Sequence, residues 1–130
     1  MQIKGLVIDT PYIDQILSGK KIWEMRSSAT KQRGLIALIR KGSGTVIGVT
    51  ELVDSIGPFT HEQMTANQSK HLLSAEQLNN PAVSKWNHAW VMKNARAFKT
   101  PIPYKHNIGA VKWVRLEDSV IREIKTSLDN

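Results

Sequence analysis

Apolar residues in this 130-residue chain occur only in short runs, and this limits the elements that the chain can form. The longest unbroken apolar run has five residues, 35–39. A helix needs about 20 apolar residues to span a bilayer, so we expect no membrane partner. Short runs between glycine, proline and polar residues are typical of strands in a small sheet or barrel. At this length we expect residues 1–130 to form a single domain that can bury its own core.

Composition excludes several classes of protein. A hydrophobic content of 41% excludes a disordered chain, and the absence of cysteine excludes disulfide scaffolds, thiolate zinc sites and cysteine nucleophiles. The histidines do not have the spacing of a zinc-binding helix, so neither a metal nor any other cofactor is predicted. Lys4 and Asp9 interrupt the first apolar stretch, which therefore does not resemble a signal peptide. We expect a cytoplasmic protein.

The positive charge is segregated along the chain. Of the net charge of +7, residues 20–41 contribute seven cations against one acid, and residues 85–115 contribute seven cations and no acid. One interpretation is that lysines only keep the protein in solution. The segregation favours a polyanion partner instead, because phosphates gain from each cation along their path. We therefore predict a polyanion as the partner.

The periodicity of apolar residues predicts an α+β fold. The predicted elements are strand 3–9, helix 10–18 with Thr10 as its N-cap, strands 21–27, 35–40, 45–54, 89–92, 95–99 and 110–116, and helix 117–128. Strands 35–40 and 45–54 are expected to form a hairpin. In strand 110–116, we expect Val111, Trp113 and Arg115 to share one face. The closest architecture is a small mixed β-barrel of five to six strands with a helix after the first strand and a C-terminal helix.

Residues 60–80 are expected to form a helical flap on this barrel. Thr60 with Gln63, and Ser74 with Gln77, each match the capping box that begins a helix, which predicts helices near 61–68 and 75–79. The segment is acidic and has too few apolar residues to hold a core of its own. We expect no functional role for its histidines, His61 and His71. An alternative function for the protein is an interaction module in transcription or translation that docks through this flap.

Residues 19–26 carry the most informative motif. Gly19, Lys21, Glu24 and Arg26 match G-x-K-x-x-E-x-R position for position. This motif resembles the signature of the ASCH domain, a PUA-like β-barrel family related to RNA-binding modules. The order of elements also fits, and the resemblance extends over the whole chain, which looks like a small bacterial single-domain member. The resemblance implies a PUA-like barrel whose partner is single-stranded or structured RNA, or a modified nucleoside.

The candidate catalytic residues are Lys21, Glu24 and Arg26. In a regular strand Glu24 and Arg26 share a face, and Lys21 can turn to that face because it lies where the helix meets the strand. We expect the two cations to hold Glu24 ionised, Arg26 to grip a phosphate, and Lys21 to move a proton once burial destabilises its ammonium group. The alternative is a solvated ion pair on a strand, which would contribute about 0–1 kcal/mol.

The resemblance implies two kinds of hydrolysis. Some bacterial ASCH proteins are associated with RNA cleavage, in which Lys21 and Glu24 would be the base and the acid. Another branch removes the acetyl group from N4-acetylcytidine. That branch has a threonine at the position of Glu24, so its nucleophile is missing here. Glu51, Glu62 and Glu76 are the candidates for its further acidic residue, and the sequence does not decide among them.

Six further residues are predicted to bind nucleic acid, because they lie in basic loops beside the motif or near the end of the chain. They are Lys20, Lys31, Arg33, Tyr104, Lys105 and His106. Tyr104 is the preferred residue for stacking on a base. Trp23 and Trp113 are expected in the barrel core, and core packing is also favoured over base stacking for Trp86 and Trp90.

Overall fold

A computed structural model describes residues 2–129 and has an α+β fold. Its described residues form six strands and six helices. The elements are β1 Lys4–Ile8, α1 Tyr12–Leu17, β2 Trp23–Arg26, β3 Gly34–Arg40, β4 Thr45–Ile56, α2 His61–Ala66, α3 Gln68–His71, α4 Ala75–Leu78, α5 Pro81–Ser84, β5 His88–Pro103, β6 Trp113–Arg115 and α6 Asp118–Leu128. The hairpin of β3 and β4 forms as predicted.

All six strands belong to one mixed sheet in the order β2-β5-β4-β3-β1-β6. Only β1 and β3 run parallel; the other neighbours are antiparallel. In a flat sheet β2 and β1 would lie about 19 Å apart, since neighbouring strands are spaced by about 4.8 Å. Instead, Arg26 of β2 donates a hydrogen bond of 3.0 Å to the Val7 carbonyl of β1. The sheet therefore curls into a half-barrel, which confirms the predicted PUA-like mixed barrel.

The core divides into three clusters of buried side chains. Helix α6 packs Val120, Ile121 and Ile124 against one side of the sheet, where the i, i+1, i+4 spacing places them on one helical face. Helix α1 packs Ile13 and Ile16 against another part of the sheet. The third cluster joins the flap to β2.

Residues 60–80 fold over β2. Both predicted capping boxes are present. The hydroxyls of Thr60 and Ser74 accept hydrogen bonds from the backbone N–H groups of Gln63 and Gln77, and each glutamine side chain accepts one from the backbone N–H of the Thr or Ser. The flap buries Met64, Leu73 and Leu78 against Trp23 and Met25 of β2. It therefore completes its packing on the sheet and leaves the acidic side chain of Glu62 at the surface.

Three local predictions are wrong. Helix α1 begins at Tyr12, and Thr10 is not its N-cap, since the Thr10 hydroxyl instead accepts a hydrogen bond of 2.9 Å from Arg40. The two predicted strands between 89 and 99 are parts of the single bulged strand β5. Strand β6 is shorter than the predicted 110–116, because only Trp113–Arg115 pairs with β1, and Val111 lies outside the strand and is exposed.

Candidate functional site

Lys21 lies at the junction of α1 and β2. Gly19 ends α1 with a φ of +82°, a conformation that favours glycine, and Lys21 N–H donates back to the Gln15 carbonyl over 3.0 Å. The side chain of Lys21 thereby turns inward and is only 1% exposed. Its ammonium group donates a hydrogen bond to the backbone carbonyl of His71 in the flap. The predicted turn of Lys21 towards the face of Glu24 is present.

Glu24 and Arg26 form an ion pair on β2. Glu24 is 6% exposed, and its Oε2 accepts a hydrogen bond of 3.0 Å from Nε of Arg26 and lies 3.0 Å from Nη2. The guanidinium of Arg26 also lies 5.4 Å from the ring centroid of Trp90. This ring, the Glu24 carboxylate and the Val7 carbonyl hold Arg26 in one orientation.

The three motif residues meet in one cleft of about 250 Å³. The other lining residues are Val7, Asp9, Tyr12, Met25, Lys41, Leu73, Trp86 and Val111. Tyr12 and Trp86 form an edge-to-face pair with ring centroids 6.3 Å apart, and the Lys21 ammonium lies 5.6 Å from the Tyr12 centroid. The cleft therefore combines aromatic surface with opposite charges, the lining type found in small-molecule sites.

Burial dominates the ionisation of the cluster. Burial and, to a smaller extent, the charge of Arg26 lower the pKa of Lys21, Glu24 acts to raise it, and the net value is about 8. Burial also raises the pKa of Glu24, although Arg26 and Lys21 both act to lower it. Arg26 and Lys21 thus favour the ionised form of Glu24, as predicted, but desolvation raises its pKa by more than they lower it. The result is an amine with a lowered pKa beside a carboxyl group with a raised one.

His71 is a buried part of this arrangement that the polar sequence around it did not reveal. It is fully buried in the flap, where Nδ1 accepts the Leu73 N–H over 2.9 Å. Nε2 therefore carries the proton and donates to the Met64 carbonyl over 2.7 Å. Burial lowers the pKa of His71. Because its own carbonyl accepts from Lys21, His71 links the flap to the cleft.

None of the six residues predicted to bind nucleic acid lines the cleft. Lys20, Lys31 and Lys105 are exposed elsewhere on the surface. The guanidinium of Arg33 donates to the carbonyls of Thr30 and Gln32 and lies 3.8 Å from Asp54. Tyr104 and His106 hydrogen-bond to each other over 2.8 Å. Their role in binding nucleic acid stays a prediction.

The cleft contains charged residues that were not singled out as candidates. Lys41 and Asp9 line it. Lys41 follows the apolar strand β3 directly, but its distance from the motif in sequence hides its position. Glu51, Glu62 and Glu76, the candidates for a further acidic residue, do not line the cleft.

The tryptophans occupy different environments. Trp23 is buried and stacks on Phe59 at 5.1 Å, and Trp90 is buried and stacks on the half-buried Trp113 at 5.7 Å. Core packing is therefore confirmed for Trp23 and Trp90. Trp86 is half-buried and lines the cleft, where its ring can contact a ligand.

Residues 2–129 contain neither a metal-binding cluster nor a membrane-spanning helix. No three histidine or carboxylate side chains in this range lie close enough together to hold a metal ion. No helix in the same range has the length and apolar character needed to cross a membrane.

Comparisons with known proteins agree on one family. A family model described as the ASCH domain matches residues 6–102. A crystal structure of ASCH from Zymomonas mobilis is similar, with a TM-score of 0.72 and 14% identity over 95% of this chain and 93% of that chain. A tyrosine-to-phenylalanine variant of the same protein gives a TM-score of 0.74 and 14% identity over 97% and 98% of the two chains. At 14% identity, these two crystal structures show that the fold is shared and nothing beyond it. No curated protein matches the chain.

Proposed function

The chain belongs to the ASCH domain family, and on that premise we propose that it binds RNA and takes one nucleotide unit into the cleft of Lys21, Glu24 and Arg26. The observation that carries the proposal is the buried Lys21, whose pKa is lowered to about 8 beside the Glu24–Arg26 ion pair. Ionisable groups with perturbed pKa values, gathered in a cleft, are typical of binding and catalytic sites.

The lining of the cleft supports a nucleoside as its occupant. A nucleobase offers flat faces to aromatic side chains, which Tyr12 and Trp86 supply at the cleft. Its polar edge can hydrogen-bond to Lys21 or Glu24, and the adjoining phosphate can meet the fork of Arg26. The volume of about 250 Å³ is small for a ligand site, which favours one nucleotide unit over a longer segment.

The ionisation of the cluster supports RNA cleavage. At pH 7 about a tenth of Lys21 is the neutral amine, which can accept the proton of a ribose 2′-hydroxyl. The 2′-oxygen then bonds to phosphorus, and the bond from phosphorus to the 5′-oxygen breaks. Glu24 in its acid form gives a proton to that 5′-oxygen, while Arg26 stabilises the charge on the phosphorane. The products are a 2′,3′-cyclic phosphate and a 5′-hydroxyl.

Product analysis of single-stranded RNA of mixed sequence tests this reaction. We expect mass spectrometry to detect ends with a 2′,3′-cyclic phosphate, at a rate that falls in acid, where Lys21 is fully protonated, and in alkali, where Glu24 has lost its proton. Lys21→Ala and Glu24→Gln should each abolish turnover. Lys125→Ala, which removes an exposed lysine from α6, is the control and should retain it. Cleavage that survives both site changes would contradict the proposal.

A second candidate is hydrolysis of an acylated nucleoside such as N4-acetylcytidine. The enclosed neutral amine of Lys21 favours it, since the amine can take a proton from water. The hydroxide would attack the acetyl carbon, the C–N bond would break, and the nucleoside amine would leave with a proton. Acetate and cytidine are then the products, and incubation with N4-acetylcytidine detects them by mass. Cyclic phosphate ends on RNA together with intact N4-acetylcytidine would exclude this candidate.

A further inference from the structure

We propose that the carboxyl end of β1 carries a phosphate subsite, formed by Lys41 and Lys112 beside Arg26, that makes the cleft prefer nucleotides to nucleosides. The inference rests on the proposed function, since the nucleoside portion would occupy the cleft already described. It assigns the ligand a phosphate group at a defined end of that cleft.

Three distant segments meet at two residues of β1. The N–H of Val7 donates to the Lys112 carbonyl over 2.9 Å, and the carbonyl of Val7 accepts from Arg26 Nη2 over 3.0 Å. The next residue, Ile8, accepts the Lys41 N–H at its carbonyl over 3.0 Å. The backbone therefore fixes residues 26, 41 and 112 around one strand end.

The charged groups of two of these segments lie beside the same aromatic ring. The Lys112 ammonium lies 5.7 Å from the Trp90 ring centroid, and the Arg26 guanidinium carbon lies 5.4 Å from the same point. These two groups are thus no more than about 11 Å apart, and flexible lysine side chains can close such a gap around a phosphate. Lys41 is exposed and lines the cleft itself.

The two lysines are available to a ligand. Within residues 2–129 all the ion pairs involve arginine, so neither Lys41 nor Lys112 is paired with a carboxylate. The nearby acid, Asp9, accepts the Thr10 N–H at Oδ1 over 2.8 Å. Binding a phosphate would therefore require no existing salt bridge to break. Two ammonium groups beside a guanidinium form an environment that favours an anion.

Calorimetric titration of nucleosides, their 5′-monophosphates and inorganic phosphate tests the subsite at low salt. We expect a monophosphate to bind wild-type protein at least about tenfold more tightly than its nucleoside, the effect of one charge-assisted contact. The double variant Lys41→Ala/Lys112→Ala should lose most of this preference, measured as the ratio of its two affinities, and any remainder would come from Arg26. Lys99→Ala/Lys125→Ala removes two exposed lysines elsewhere and should match wild type.

The outcomes separate the two proposals. Equal affinity of wild-type protein for nucleoside and monophosphate would overturn the subsite and leave nucleoside binding intact. A loss of monophosphate affinity in both double variants would also overturn it, because a general charge effect would then suffice. Binding of inorganic phosphate that disappears only in Lys41→Ala/Lys112→Ala would support the subsite even if no nucleoside bound. If none of the three ligands binds, both proposals fail.

Discussion

Burial of Lys21 is costly to the fold. Lys21 is 1% exposed, and the reduction of its pKa from 10.5 to about 8 corresponds to about 3 kcal/mol against the ammonium form. One hydrogen bond to the His71 carbonyl and the charge of Glu24 offset only part of the desolvation. An apolar side chain would fill this position at lower cost. A lysine at this position is therefore best explained by an amine that acts on a ligand.

The cost of burying Lys21 predicts a specific dependence of stability on pH. The unfolded chain holds the proton up to a pH near 10.5, whereas the folded protein releases it near 8. Between these values the unfolded state binds more protons, so the free energy of unfolding should rise with pH, by up to about 3 kcal/mol. Urea denaturation across this range should show the rise in wild type relative to Lys21→Met. The matched change at the exposed neighbour, Lys20→Met, should keep it; equal slopes for wild type and Lys21→Met would contradict the buried ammonium.

At the scale of elements, the flap is the part of the fold that closes the site. Its helices cover β2 through Met64, Leu73 and Leu78, and its backbone accepts the Lys21 ammonium at His71. The imidazole of His71 joins α2 to the turn after α3, because it bonds to the Met64 carbonyl on one side and the Leu73 N–H on the other. Both bonds require the neutral ring protonated at Nε2.

Acid should therefore loosen the flap before the sheet. Burial holds the folded pKa of His71 below the usual 6.5, and the charge of Lys21, which stays protonated in this range, acts in the same direction. The stability that His71 contributes is then present above pH 6.5 and is lost as the pH falls through its folded pKa. Hydrogen exchange should show residues 60–80 losing protection first, while β3 and β4 remain protected. His71→Gln should remove this selective response, and His61→Gln should not. Uniform loss of protection across the chain would contradict it.

Elements with local signals were predictable, and those that depend on distant partners were not. The capping boxes at Thr60 and Ser74 form within four residues, so the sequence alone located both helices. Thr10 has the side chain of an N-cap, but its hydroxyl is engaged by Arg40, thirty positions away. The burial of His71 likewise depends on the packing of the flap on β2, and no periodicity in the polar segment around it reports that contact.

At the scale of the whole molecule, the curl of the sheet determines which cations meet. Arg26 and Lys41 come from the first basic block and Lys112 from the second, and the end of β1 brings them together. Residues from both basic blocks therefore lie side by side at this strand end. Which members of each block converge was not predictable, because it depends on strand order and register. Lys31 and Lys105, two of the residues predicted to bind nucleic acid, lie outside the cleft.

The salt dependence of RNA binding distinguishes these two sets of cations. Each phosphate neutralised on a single strand contributes about 0.7 to the slope of log affinity against log salt, so about four contacts predict a wild-type slope near −3. If the strand follows the end of β1, Lys41→Ala/Lys112→Ala should reduce the magnitude of the slope by about 1.4, and Lys31→Ala/Lys105→Ala should leave it unchanged. Fluorescence anisotropy with a short labelled RNA measures both. A larger change of slope in Lys31→Ala/Lys105→Ala than in Lys41→Ala/Lys112→Ala would indicate that the RNA strand instead contacts Lys31 and Lys105. A wild-type affinity that does not change with salt would show that phosphates do not contribute to binding. RNA would then not account for the cations from both blocks at the end of β1.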